Sequence, residues 1–256
     1  MKIRKFEEHS GIEKMLSVLR KDGDYMKLLY PYRKKDIGKA LDEVIQHMED
    51  KGKYDTAKDC FKEQKFSSFM EYFQRHLSDD KSHEIRGAVS EFEVVFPCEC
   101  DIEATDPVKD ASEILRLKET PVKMVEDFKE MGIDIKGFSF LDMKLLRCFY
   151  HRIHSPADGE MKTHFIGKEN ALFGDNAVWV VTLTTDKGPI YMLLIGEMEV
   201  QGFDFSKKDG KVSKFDEIGK FTWGSQVVML FETEKFGAEL VSKEERHFVG
   251  DGIFKK

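Results

Sequence analysis

Two short stretches of this chain hold the residues best suited to chemistry. The first is Phe149-Tyr150-His151-Arg152-Ile153-His154-Ser155-Pro156-Ala157-Asp158-Gly159, which sets two imidazoles three positions apart. On a helix that spacing puts both rings on one face, where they could share a metal ion. Pro156 and Gly159 follow at once, so a loop at a strand end is expected instead, and no third ligand stands out. An acid/base pair suits such a loop, because histidine changes charge near neutrality; a structural role for both rings stays open. The second stretch, Phe221-Thr222-Trp223-Gly224-Ser225-Gln226-Val227-Val228-Met229-Leu230-Phe231, is two apolar flanks around a Gly-Ser hinge. A strand kinked by a glycine has the same look. Ser225 as a nucleophile would need a base within hydrogen-bond reach, itself oriented by a third group. Glu99 and Asp101 stand in a turn, where acids are usually just solvated. Cys98-x-Cys100 flanks Glu99 but lacks the second pair that a metal site of this type needs.

The elements that would position these residues change character along the chain. The first third has a helical period. Ile12, Met15, Leu16 and Leu19 share one face, as do Ile37, Ala40, Leu41, Val44, Ile45 and Met48, with Asp36 as N-cap. The segment Leu28-Leu29-Tyr30-Pro31-Tyr32-Arg33-Lys34-Lys35 separates the two helices. These helices read as a packing layer; the alternative is a lipid-facing surface, with Arg33-Lys34-Lys35 beside apolar faces. Phe66 to Leu77 has the aromatic spacing of a helix burying one face. From Glu91 the pattern turns to β. Val94 to Ile102 reads as a strand ending at a turn, and Val122 to Met131 as a helix closed by Gly132. Phe138 to Phe149 reads as a strand running into the histidine stretch. Three further β segments follow: 177–183, 190–195 and 221–231, the first two joined by the turn Asp186-Lys187-Gly188-Pro189. The expected fold is α+β, a helical N-terminal portion packed on a β-rich body that carries the chemistry.

Bulk properties narrow the field. The 256 residues are 41% hydrophobic and 35% charged, enough for a sizeable core and a wetted surface. A net charge of -7 argues against nucleic acid as a general partner, because phosphate binding needs a basic surface. No apolar run approaches the roughly 20 residues that span a bilayer. The N-terminus has basic residues without an apolar stretch after them, unlike a signal peptide. Four irregularly spaced cysteines, Cys60, Cys98, Cys100 and Cys148, fit a reduced cytoplasmic setting better than a disulfide framework.

Together the two stretches resemble the pyruvoyl-dependent phosphatidylserine decarboxylase family. Its signature pieces are a Tyr-His-Arg-x-His-x-Pro run, met here by Tyr150 to Pro156, and a late Gly-Ser cleavage site, met by Gly224-Ser225. Ser68 to Leu77 is similar to the family's Ser-Phe-x-Glu-Phe-Phe-x-Arg-x-Leu run, and Ile218-Gly219-Lys220-Phe221 to its Met-Gly-x-Phe. Ile195 to Val200 stands where the family has Val-Gly-Ala-x-x-Val. There are departures. Glu99 falls where the family's Val-Ser-Pro-x-Asp-Gly motif has its Asp, with Asp101 the alternative if the register slips by two. Phe149 replaces an Asp, Gln226 replaces a Thr, and Asp175-Asn176-Ala177-Val178 replaces Asn-Glu-Arg-Val.

The resemblance implies a helical extension over 1–65 and a decarboxylase domain over 66–256 that cuts itself between Gly224 and Ser225. It implies that Ser225 attacks the Gly224 carbonyl with His154 as base and Glu99 as orienting acid, and that Ser225 becomes a covalent pyruvoyl group. That group would act on phosphatidylserine by Schiff-base chemistry, giving phosphatidylethanolamine and carbon dioxide, with His151 as the general acid that returns a proton. No metal is implied. A homodimer is implied as well, while peripheral membrane contact is the alternative reading of the helices beside Arg33-Lys34-Lys35. Two alternatives accompany this reading: a soluble pyruvoyl-dependent decarboxylase of free aromatic amino acids, and a non-catalytic relative of the same fold.

Overall fold

The computed structural model describes residues 2–52, 60–63, 65–89, 91–107, 114–117, 120–123, 128–129, 135, 137–166, 176–197, 202–236, 240–241 and 246–254. The chain divides into two compact units, residues 1–81 with 147–149, and residues 82–146 with 150–256. The architecture is α+β, with helices at the N-terminal end and a β-rich body.

In the first unit, α1 (Lys2–Leu19) buries Met15, Leu16 and Leu19 and leaves Ile12 half-buried, the face its period predicts. A short helix α2 (Met26–Leu29) and a 3-10 turn (Tyr30–Tyr32) lead to α3 (Lys39–Lys51), which buries Ala40, Leu41, Val44 and Met48. Asp36 does not cap α3. Gly38 occupies the N-cap position, and Asp36 Oδ1 instead accepts the Gly38 N–H at 2.8 Å, the local turn that Asp side chains favour. The helix α4 (Phe69–Phe73) begins with Ser68, whose hydroxyl accepts the Glu71 N–H, while Glu71 reaches back to the Ser67 N–H at 2.7 Å. This reciprocal arrangement satisfies two amides that a helix start leaves open. Phe69, Met70, Tyr72 and Phe73 are buried. Arg75, 2% exposed, lies over the Phe61 ring and donates to the carbonyls of Tyr72, Cys148 and Phe149, so its charge is spread over backbone acceptors. A cavity of about 480 Å³ in this unit is lined in part by α3, Phe61, Phe66 and Tyr72. It contains none of the expected site residues. The helix α5 (Asp79–Val89) follows.

The second unit is built on an antiparallel sheet of eight strands. In chain order they are β1 (Cys100–Pro107), β4 (Ser139–Lys144), β6 (Gly159–Ile166), β7 (Asn176–Thr184), β8 (Pro189–Glu197), β10 (Gly210–Val212), β12 (Gln226–Phe231) and β13 (Arg246–His247). Their spatial order is β10-β6-β7-β8-β12-β4-β1-β13. A second sheet joins β5 (Arg152–His154), β11 (Glu217–Phe221) and β9 (Phe203–Phe205) in the order β5-β11-β9. A hairpin pairs β2 (Ile114–Leu117) with β3 (Thr120–Lys123), and a short helix α6 (Thr233–Phe236) follows β12. All six residues of β12 are buried, with β8 on one side and β4 on the other. That is the place in a sheet a continuous apolar run requires.

Three expectations shift. The strand expected over Val94 to Ile102 starts only at Cys100. Pro97 has no N–H, and the Val95 and Phe96 amides bond to Pro156 and Asp251 carbonyls rather than to a neighbouring strand. The expected helix from Val122 overlaps β3, where Thr120 and Val122 suit an extended chain; residues 124–127 and 130–134, with Gly132, lie outside the described residues. The strand expected to reach Phe149 ends at Lys144.

Candidate active site

The expected site residues converge on the junction between the two sheets of the second unit. β11 belongs to the small sheet and β12 to the large one, so Thr222 to Ser225 carry the chain from one sheet to the other. Gly224 turns that crossing with φ +65°, a left-handed conformation that costs glycine little and other residues more. Antiparallel pairing fixes the rest. β5 runs beside β11 with Ile153 opposite Gly219 and Arg152 opposite Lys220, and the Phe221 N–H donates to the His151 carbonyl at 3.0 Å. The strand that ends at His154, with His151 just ahead of it, therefore also holds the approach to Gly224-Ser225.

His151 directly precedes β5 and His154 ends it. The two rings have different partners. His151 is fully buried, and its Nε2 lies 2.9 Å from Ser225 Oγ. Ser225 is half-buried, and the Leu145 carbonyl is a longer second acceptor for its hydroxyl at 3.4 Å. His154 is buried as well. Its Nδ1 meets the Phe215 carbonyl at 2.9 Å and its Nε2 meets the Tyr150 hydroxyl at 3.0 Å. A carbonyl only accepts, so Nδ1 carries the proton and Nε2 accepts from Tyr150. The rings of Phe215 and Tyr150 stack on the imidazole, with centroids at 4.5 and 5.8 Å. Burial lowers the His154 pKa to about 4 despite the bond to Phe215, so the ring is neutral at physiological pH. The imidazole expected at the serine was that of His154; the structure brings His151 there.

Glu99 is 1% exposed, and its Oε2 accepts the N–H of Tyr150, the residue before His151, at 2.8 Å. Asp101, the alternative acid, faces Arg246 at 3.4 Å on the β1–β13 pair. Arg152 is paired with Glu217 at 2.8 Å across β5 and β11. Cys98 and Cys100 are buried free thiols, and burial beside Cys98 pushes the Cys100 thiol well above its ordinary pKa. Among the described residues, no group of three or more His, Cys, Asp and Glu is arranged to hold a metal ion. Phe149 is buried in the first unit, its carbonyl on Arg75. Asp175 lies outside the described residues.

Two residues of the site carried no signal in the sequence. Phe215 adopts φ +70°, rare for a residue with a Cβ, and that bend aims its carbonyl at His154. Asp142, in the middle of β4, is 3% exposed and accepts the Gln226 amide at 2.7 Å. A buried Asp in an apolar strand needs such a partner, and this requirement is the one cue that could have singled it out.

Comparison with known proteins gives a consistent picture. The family model described as phosphatidylserine decarboxylase matches residues 69–255. Among curated proteins, one from Fusobacterium nucleatum subsp. nucleatum is 28% identical over 188 residues, covering 66% of this chain and 61% of the relative. One from Anoxybacillus flavithermus is 27% identical over 157 residues, covering 56% and 59%. One from Bacillus thuringiensis is 26% identical over 186 residues, covering 66% and 69%. Each is named phosphatidylserine decarboxylase proenzyme. The matched part spans about three fifths of the length of the first two relatives.

Proposed function

Because this chain belongs to the phosphatidylserine decarboxylase family, we propose that it is a self-processing carboxy-lyase whose cofactor is made from Ser225. The observation that carries the reading is the 2.9 Å contact between the Ser225 hydroxyl and His151 Nε2. A serine next to an acceptor imidazole is the activated-nucleophile arrangement. In the self-cleavage step His151 takes the hydroxyl proton as Oγ attacks the Gly224 carbonyl carbon. The Oγ–C bond forms, the C–N bond to Ser225 breaks, and the proton passes to the released amine. Loss of the Ser225 α-proton then expels the Gly224 carboxylate, leaving dehydroalanine, which hydrolyses to a pyruvoyl group and ammonia. Gly224 in its left-handed conformation and the half-buried Ser225 fit that conversion, which needs a sharp turn and access for water.

A bound pyruvoyl ketone supplies an electrophilic carbonyl that draws off the electrons left when a carboxylate departs. The chain's own residues do the rest. His151, already at residue 225, is placed to return a proton to the substrate carbon. Glu99 holds the Tyr150 amide and so the backbone entering His151. His154, neutral and bonded at both nitrogens, keeps β5 against the Phe215 turn. The names of the relatives support phosphatidylserine as substrate, with phosphatidylethanolamine and carbon dioxide as products. Among the described residues no helix is long and apolar enough to cross a membrane.

The test is carbon dioxide release from phosphatidylserine vesicles, with free tryptophan in a parallel arm. Release from the vesicles, lost in Ser225→Ala, is the expected result. Release from tryptophan alone would move the substrate to a free amino acid. Release that survives Ser225→Ala would contradict the pyruvoyl reading.

A further inference from the structure

The residue that follows Ser225 has an anchor of its own. Gln226 is the first residue of β12, register-paired with Ile195 on β8 and with Lys144 on β4. Its side chain does not lie free between those strands. Nε2 donates to Asp142 Oδ1 at 2.7 Å, and the two residues are 5% and 3% exposed. Asp142 stands opposite Val228, so the contact runs diagonally across the β4–β12 ladder on one face. The ladder fixes where the strand runs. It does not fix the direction in which the peptide just before its first residue leaves, because Gly224 and Ser225 are outside the ladder. A buried amide–carboxylate bond at Gln226 removes that freedom.

Resting on the self-cleavage reading above, we infer that Gln226 and Asp142 form a positioning pair that fixes the first turn of β12. The pair sets the orientation of Ser225 toward Gly224 and His151, and afterwards keeps the new chain start in register beside His151. Neither residue touches the reacting atoms. Their effect is geometric, and a displacement on the order of 1 Å at a reacting group can cost about 100-fold in rate.

The experiment follows self-cleavage of the full chain in time, by cell-free synthesis and separation of the fragments under denaturing conditions. Thermal unfolding is measured in parallel on the same substitutions in an uncleavable Ser225→Ala background. Gln226→Ala is expected to lengthen the cleavage half-time by about 10- to 100-fold. Gln226→Glu sets two carboxylates against each other, which must then share a proton. Its cleavage is expected to be slow at neutral pH and to speed up as the pH falls. Combining Gln226→Glu with Asp142→Asn rebuilds one amide–carboxylate bond in the opposite sense and is expected to restore the rate. If the single substitutions lower the unfolding temperature yet leave the half-time within twofold of the unsubstituted chain, the pair is only structural and the inference fails. If the unsubstituted chain never cuts, the self-cleavage reading fails first, and the positioning role falls with it.

Discussion

The Ser225 hydroxyl has two partners, His151 Nε2 at 2.9 Å and the Leu145 carbonyl at 3.4 Å. With Nε2 unprotonated the shorter contact takes the proton, which makes His151 rather than His154 the base in the proposed self-cleavage. His151→Asn should stop self-cleavage. His154→Gln should still cut, because glutamine can donate to the Phe215 carbonyl and accept from the Tyr150 hydroxyl. Fragment formation on a denaturing gel separates the two, and loss of cutting in His154→Gln alone would return the base to His154. His154 should make itself felt through stability instead. Its pKa is lowered to about 4 in the fold from an ordinary 6.5, so the unfolded chain takes up a proton first as the pH drops. Stability attached to this ring is fully present above 6.5 and is lost progressively down to about 4, by ~3 kcal/mol for a shift of that size. Unfolding temperatures of the unsubstituted protein and of His154→Gln should converge as the pH falls through that window.

At the scale of elements, the site exists because β5 and β11 share a ladder and β11 then crosses into β12. Gly219 is the tight point of that small sheet. A Cβ there would meet the Asp204 carbonyl oxygen at 2.4 Å and the Phe203 ring at 2.5 Å, so β9 could not stay against β11. Gly219→Ala should cost roughly 1–3 kcal/mol and slow cleavage, because the same strand holds the approach to Gly224. Denaturant unfolding and a cleavage time course would check the two halves. The sequence pattern made some of these elements easy to read. The buried runs of β7, β8 and β12 and the periodic faces of α1 and α3 emerge directly from their apolar spacing. β6 went unread although it alternates, with Glu160, Lys162 and His164 exposed, Met161 buried, and Thr163 and Phe165 half-buried. Pro156 and Gly159 directed attention to a loop, yet three residues of strand fit just before them. That strand ends at His154 and leaves His151 just ahead of it, and the two rings meet different partners.

Across the whole molecule, cutting between Gly224 and Ser225 would leave a short fragment that begins next to the centre of the eight-stranded sheet. It holds β12, flanked by β8 and β4, and β13 against β1. The two fragments should therefore elute together under native conditions and separate only on denaturation. The α+β architecture was legible from the change in period near Glu91. The site was legible only as separate stretches, since the contacts of Glu99 with Tyr150 and of His151 with Ser225 depend on pairings between distant strands that spacing along the chain does not encode. The central claim is that Ser225 is converted, and the denatured intact mass of freshly purified protein tests it most directly. Two chains, one ending at Gly224 and the other starting with residue 225 and carrying a pyruvoyl group in place of its serine, are the predicted result. A single uncut chain, or a short fragment that keeps an unmodified serine, would contradict it.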